Sequence, residues 1–148
     1  MTQDTICPEC GAEWRDGLTC DDHFYQMLAW DFENAEDAWS VHHLTVLCFH
    51  IQHPSRYSPE GLQGALELLD DAVNKGLTAA DLREKVAPLA DSATRTTHIL
   101  SHGTAASHGR TINWPIIAAD ITRGGAVGYT DRVRAWAQSI QTALETTT

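Results

Sequence analysis

Ser58-Pro59-Glu60-Gly61-Leu62-Gln63-Gly64-Ala65-Leu66-Glu67-Leu68-Leu69-Asp70-Asp71-Ala72-Val73-Asn74-Lys75-Gly76 reads as a helix from end to end. Ser58 is a capping residue whose side-chain oxygen can accept an exposed backbone N–H. Pro59 suits the first helical position, where no N–H is needed. Leu62, Ala65, Leu66, Leu69 and Val73 then recur at the spacing of one helical face, and Gly76 ends the run.

The same grammar extends outward. Thr78 caps a shorter helix carrying Leu82 and Val86, expected to break near Pro88. Thr130 is expected to cap a last helix with Val133, Trp136, Ala137, Ile140 and Leu144 on one face, fraying over the Glu145-Thr-Thr-Thr tail. Upstream, Asp21 and Asp22 suit the positive end of a helix running to about Glu33, with Phe24, Leu28 and Phe32 on its apolar side. Asn34 to Glu36 form a turn, and a second helix covers roughly Asp37 to His53 before Pro54 stops it. Residues 92–128 are rich in Thr, Ser, Gly and His and read as irregular, except that Ile116 to Ile121 after Trp114-Pro115 suggests a short helix. Strand signals are weak. The expected fold is all-α: about five helices in one small bundle over residues 1–148. Residues 1–20 form a knuckle, 21–53 a helical hairpin, and 58–148 the remainder.

A chain of 148 residues with 43% hydrophobic and 20% charged residues suits one core. Its net charge of −10 opposes binding to nucleic acid and to anionic membrane surfaces. No apolar run approaches the ~20 residues that cross a bilayer. The polar stretch Met1 to Cys7 lacks the marks of a signal peptide, so the expected location is the cytoplasm.

Cys7-Pro8-Glu9-Cys10-Gly11 has the form of a zinc knuckle. Two thiolates two residues apart can grip one ion from a tight turn, and Gly11 permits the positive φ that turns backbone N–H groups toward sulfur. Cys20 is the expected third ligand, at a helix start where the dipole favours a thiolate. A redox pair is the competing reading, but such pairs open a helix after a strand, and no strand precedes Cys7. For the fourth position His53 is preferred and His23 is the rival, with His50, His42 or water behind them. If the first two helices form an antiparallel hairpin, His53 returns beside Cys20. His42 lies about 20° from His53 on the wheel but ~16 Å along the axis, facing the middle of the first helix.

Cys-Pro-x-Cys-Gly, a later Cys, His42-His43-Leu44-Thr45-Val46 and Gln52-His53-Pro54 together resemble a bacterial family, the domain of unknown function 5946. Val133-Arg134-Ala135-Trp136-Ala137 also resembles the end of that family. The resemblance covers both termini and not residues 92–128. It marks Cys7, Cys10, Cys20, His42, Gln52 and His53, but not His23, which favours His53 as the fourth ligand. Leu47 and Phe49 stand where relatives often carry Asp and Tyr, which puts any activity depending on those polar groups in doubt here.

Other residues invite competing readings. His42 is either a hydrogen-bonded core histidine or a general base. His43 and His50 share a face and are expected to meet solvent. Gln52 either orients a metal ligand or caps the helix end. His98 and His102 have the four-residue spacing of a metal grip, with His108 nearby, although the flanking Gly and Thr argue for a polar loop. Trp14, Trp30, Trp39, Trp114 and Trp136 are expected in the core or lining a groove.

Two function classes follow. The first is a protein whose zinc is structural, binding a small molecule or a protein through the rest of its surface. The second is a small zinc-dependent enzyme of hydrolase or lyase type, such as occur in bacterial secondary metabolism, with water as the fourth ligand and His42 or His53 as acid/base. A metal-independent enzyme using the 98–108 histidines is a variant of the second. Three thiolates weaken zinc as a Lewis acid, which favours the first class.

Overall fold

The computed structural model describes residues 6–15, 17–33, 41–90 and 112–147. Among the described residues there are six α-helices and no strand: α1 (Cys20–Glu33), α2 (His42–Gln52), α3 (Pro59–Asn74), α4 (Ala79–Ala90), α5 (Ala118–Arg123) and α6 (Tyr129–Thr147). The all-α expectation holds, with α5 emerging from the segment read as mostly irregular. The 34–36 turn, the first residues of the expected second helix, Trp39, His98, His102 and His108 lie outside the described residues.

The caps follow local chemistry. Ser58 Oγ accepts the Gly61 N–H at 2.9 Å. Thr78 Oγ1 accepts the Asp81 N–H while the Asp81 carboxylate accepts the Thr78 N–H, both at 3.1 Å. Thr19 and Asp22 exchange the same pair of bonds at the start of α1, which fixes Cys20 as its first residue. Gly76, at φ +68°, takes the left-handed conformation that ends α3.

Three boundaries differ from expectation. Helix α4 runs through Pro88 to Ala90, so the proline lies in its last turn and does not break it there. Helix α6 begins at Tyr129, so Thr130 lies inside its first turn. It also continues through Thr147, where fraying was expected.

Helix α2 is the centre of the molecule. Seven consecutive positions from Leu47 to His53 are buried, so the helix has no solvent face over its second half. It packs on α1, α3, α4 and α6, while α5 bridges α1 and α6. Helix α6 contributes Val133, Trp136, Ala137 and Ile140 to the core, as its periodicity predicts, and α3 contributes Ala65 and Leu69. The buried face of α1 differs from expectation: it consists of Cys20, Phe24, Met27 and Asp31, while Phe32 is 71% exposed.

Candidate metal centre

The chain from Ile6 to Glu13 folds back on itself. Cys7 donates its N–H to the Ala12 carbonyl at 2.8 Å, and Gly11 donates to the Cys7 carbonyl at 3.0 Å. Gly11 adopts φ +80°, the conformation this turn requires. The hairpin sets Cys7 and Cys10 side by side, and α1 presents Cys20 from its first turn. Helix α2 runs antiparallel to α1, so its C-terminal end brings His53 to the same point.

One ligand atom from each of Cys7, Cys10, Cys20 and His53 lies within 4.8 Å of the others, and all four residues are buried. This group can hold a metal ion. Cys10 and Cys20 sulfurs are 3.6 Å apart, close to the ~3.8 Å edge of a tetrahedron built from ~2.3 Å zinc–sulfur bonds. His53 is oriented by its own helix: Nδ1 lies 2.7 Å from the Phe49 carbonyl. That carbonyl can only accept, so Nδ1 carries a proton and Nε2 is the ring atom left to serve as a metal ligand. Nε2 is buried and has no hydrogen-bond partner, as a ligand atom should.

The electrostatics of the pocket call for positive charge. Its neighbouring sulfurs hold the Cys7 thiol well below the usual thiol range, while Cys20 and Cys7 push the Cys10 thiol far above it. Three sulfurs this close cannot all ionise in a dry pocket without a cation. Burial alone would depress His53, but the adjoining Cys20 and Cys7 sulfurs outweigh it and raise the ring to about 10. A divalent ion would supply the missing charge outright. The Trp14 indole N–H donates to Cys20 Sγ at 3.3 Å, and the Cys10 N–H points at Cys7 Sγ at 3.5 Å.

Glu9, inside the knuckle, accepts both the Ser55 N–H at 3.0 Å and the Ser55 hydroxyl at 3.1 Å. It thereby latches the knuckle to the turn that follows His53. Sequence reading assigned Glu9 and Ser55 no role and Trp14 only a place in the core or a groove, since nothing in their local spacing points across the chain.

The other candidates go elsewhere. His23 turns to α5, where Nδ1 meets Thr122 Oγ1 at 2.7 Å. Cys48 is buried in the core, its thiol pushed up by desolvation. His50 was expected in solvent but is 3% exposed, ringed by Phe24, Phe49 and Tyr57 because no face of α2 is open at this level. Burial chiefly, then the charges of Arg56 and His53, depress it to about 3. Gln52 neither orients a ligand nor caps the helix: its Nε2 donates to the Ile116 carbonyl at 2.9 Å, tying α2 to the segment before α5.

His42 belongs to a second polar cluster at the opposite end of α2. Its Nδ1 lies 2.9 Å from Asp31 Oδ2. The Tyr129 hydroxyl donates to Asp31 Oδ1 at 3.0 Å and lies 3.0 Å from Thr45 Oγ1. His42 thus faces the last turn of α1 rather than its middle, since the first residue of an antiparallel partner comes level with the end of the helix before it. Asp31 and Tyr129 were missed. The available signal was an acidic residue at a core position of α1, in the series 20, 24, 27, 31.

A family model described as a family of unknown function, DUF5946, matches residues 5–145. The chain belongs to the DUF5946 family. No curated protein and no solved structure matches it. The DUF5946 match begins at residue 5 in the knuckle and ends at residue 145 in α6, so the Cys₃His group and the Asp31–His42 cluster both lie within it. Among the described residues no helix is long and apolar enough to cross a membrane.

Proposed function

We propose that Cys7, Cys10, Cys20 and His53 bind one zinc ion whose role is mainly structural, and that the protein works by binding a small molecule or a protein. The observation that carries this reading is the convergence of three buried sulfurs and one imidazole nitrogen at a single point. Soft thiolates and an imidazole in a four-cornered group are the usual surroundings of structural zinc. Four protein ligands leave no position for water, so the ion would polarise no substrate. Its contribution would be to fasten a knuckle with little core of its own to the α1–α2 hairpin, coupling metal binding to folding. The net charge of −10 still argues against nucleic acid and anionic membranes as partners, and a cytoplasmic setting would keep the thiols reduced.

The enzyme alternative needs zinc with three protein ligands and water, and His42 or His53 as acid/base. The convergence of His53 on the sulfurs weighs against it. His42 lies on the other end of α2, ~16 Å away along the axis, too far to act on a zinc-bound atom.

Zinc-edge X-ray absorption on wild type and His53→Ala tests the reading. Three sulfurs and one nitrogen around one zinc, with metal loss and a lower melting temperature in His53→Ala, are expected. Three sulfurs with an exchangeable oxygen, unchanged by His53→Ala, would replace it with the enzyme alternative.

A further inference from the structure

A cleft of about 450 Å³ opens between the knuckle and the segment 112–123. That volume falls within the ~300–1,000 Å³ of small-molecule sites. Its first wall is the metal-binding hairpin itself, with Ile6, Cys10, Glu13 and Arg15. Its second wall comes from the approach to α5 and from α5, with Trp114, Ile117, Asp120 and Arg123.

The hydrogen-bonding capacity of these walls is unequal. Arg15 donates one N–H to Glu13 at 2.9 Å, and Arg123 stands 3.7 Å from Asp120, beyond hydrogen-bonding distance. Each guanidinium carries five N–H donors, so most remain for a ligand. The carboxylates are more committed: Asp120 spends one oxygen on the Ile117 N–H at 3.0 Å, and Glu13 spends one on Arg15. Asn113 adds an amide at the same lip. The indole of Trp114 and the aliphatic side chains of Ile6 and Ile117 line the same cleft. A planar guanidinium fork matches a carboxylate, and an aromatic–aliphatic floor matches a flat ring. In a chain with only ten Lys and Arg against twenty Asp and Glu, two arginines on one cleft stand out from an acidic background.

We propose that this cleft binds a small aromatic carboxylate, its carboxylate held by Arg15 and Arg123 and its ring against Trp114 and Ile117. The proposal rests on the reading of the chain as a metal-held binding module, because the knuckle forms one wall. Ligand and metal are therefore linked: each should bind more weakly when the other is absent.

The test is calorimetric titration of the full-length, metal-loaded protein with 2-naphthoate, with its neutral amide 2-naphthamide, and with inorganic phosphate, zinc content being measured on each sample. One saturable site for 2-naphthoate is expected, with the amide weaker by about tenfold or more for want of the charged bidentate contact, and phosphate weaker by about tenfold or more for want of the ring. Arg15→Gln/Arg123→Gln should lose a similar factor while keeping its zinc, both side chains being exposed. No saturable 2-naphthoate binding to zinc-containing protein would overturn the cleft proposal and leave the zinc reading standing. Saturable binding to protein that takes up no zinc would support the cleft and remove the zinc reading. Phosphate or amide binding as tightly as 2-naphthoate, or an unaffected double variant, would overturn the assigned ligand class.

Discussion

His42 Nδ1 lies 2.9 Å from Oδ2 of Asp31, a carboxylate with no solvent exposure, and the two residues join the end of α1 to the start of α2. Tyr129 of α6 occupies the other oxygen of the same carboxylate. Three helices are thus fastened by one buried acid. Removing one partner leaves that acid undercompensated, which is far costlier than the pair itself is stabilising. His42→Ala should lower unfolding stability by about 3 kcal/mol. Tyr129→Phe, which removes only a hydroxyl, should cost about 1–2 kcal/mol. Urea unfolding of both variants checks the order; a His42→Ala protein as stable as wild type would show the cluster to be energetically idle.

His50 carries a pH prediction. Its folded-state value is depressed to about 3, against ~6.5 in an unfolded chain. Between those values the unfolded state binds the extra proton, so stability rises with pH across the window and is lost as pH falls from about 6.5 toward 3. The slope from this one group approaches ~1.4 kcal/mol per pH unit. Acid also releases metal from thiolates, in wild type and variant alike. The difference between wild type and His50→Leu, followed by chemical unfolding from pH 7 to 5, isolates the histidine: the variant should show the flatter profile.

Trp14 donates to Cys20 Sγ at 3.3 Å, offsetting negative charge on the sulfur. Trp14→Phe keeps the ring and removes the donor. In the proposed zinc site it should weaken metal retention by about tenfold, the lower end of the range for groups bonded to a metal ligand. Competition against a chromophoric chelator measures this, with stoichiometry unchanged at one ion.

Glu9 touches no ligand atom but holds the knuckle to Ser55, two residues after His53. Glu9→Ala should speed release of the proposed zinc to a chelator and reduce affinity by about fivefold, below the ~10–100-fold of direct supporting contacts. Ser55→Ala, which keeps the backbone N–H bond, should have a smaller effect than Glu9→Ala.

What was legible in the sequence is what local chemistry settles. Capping residues, glycine at a positive φ and a 3.6-residue stripe act within one or two turns, so Ser58, Thr78, Gly76 and the buried faces of α3 and α6 were readable directly. The knuckle was readable for the same reason, since Cys7, Cys10 and Gly11 make one turn. Tertiary structure decided the rest. Hydrophobicity alone placed Phe32 inside α1 and would place Asp31 outside, yet Asp31 is buried and Phe32 exposed. The reversal is possible because partners 11 and 98 residues away satisfy the carboxylate. Likewise His50, which sequence left in solvent, is enclosed because four helices close around α2. His53, already preferred over His23 in the sequence, meets the three sulfurs through the antiparallel return of α2, while His23 is drawn off to Thr122. A residue's local spacing sets which way it points on its own helix; whether that direction meets solvent, a sulfur or a carboxylate is set by chain segments that spacing cannot see.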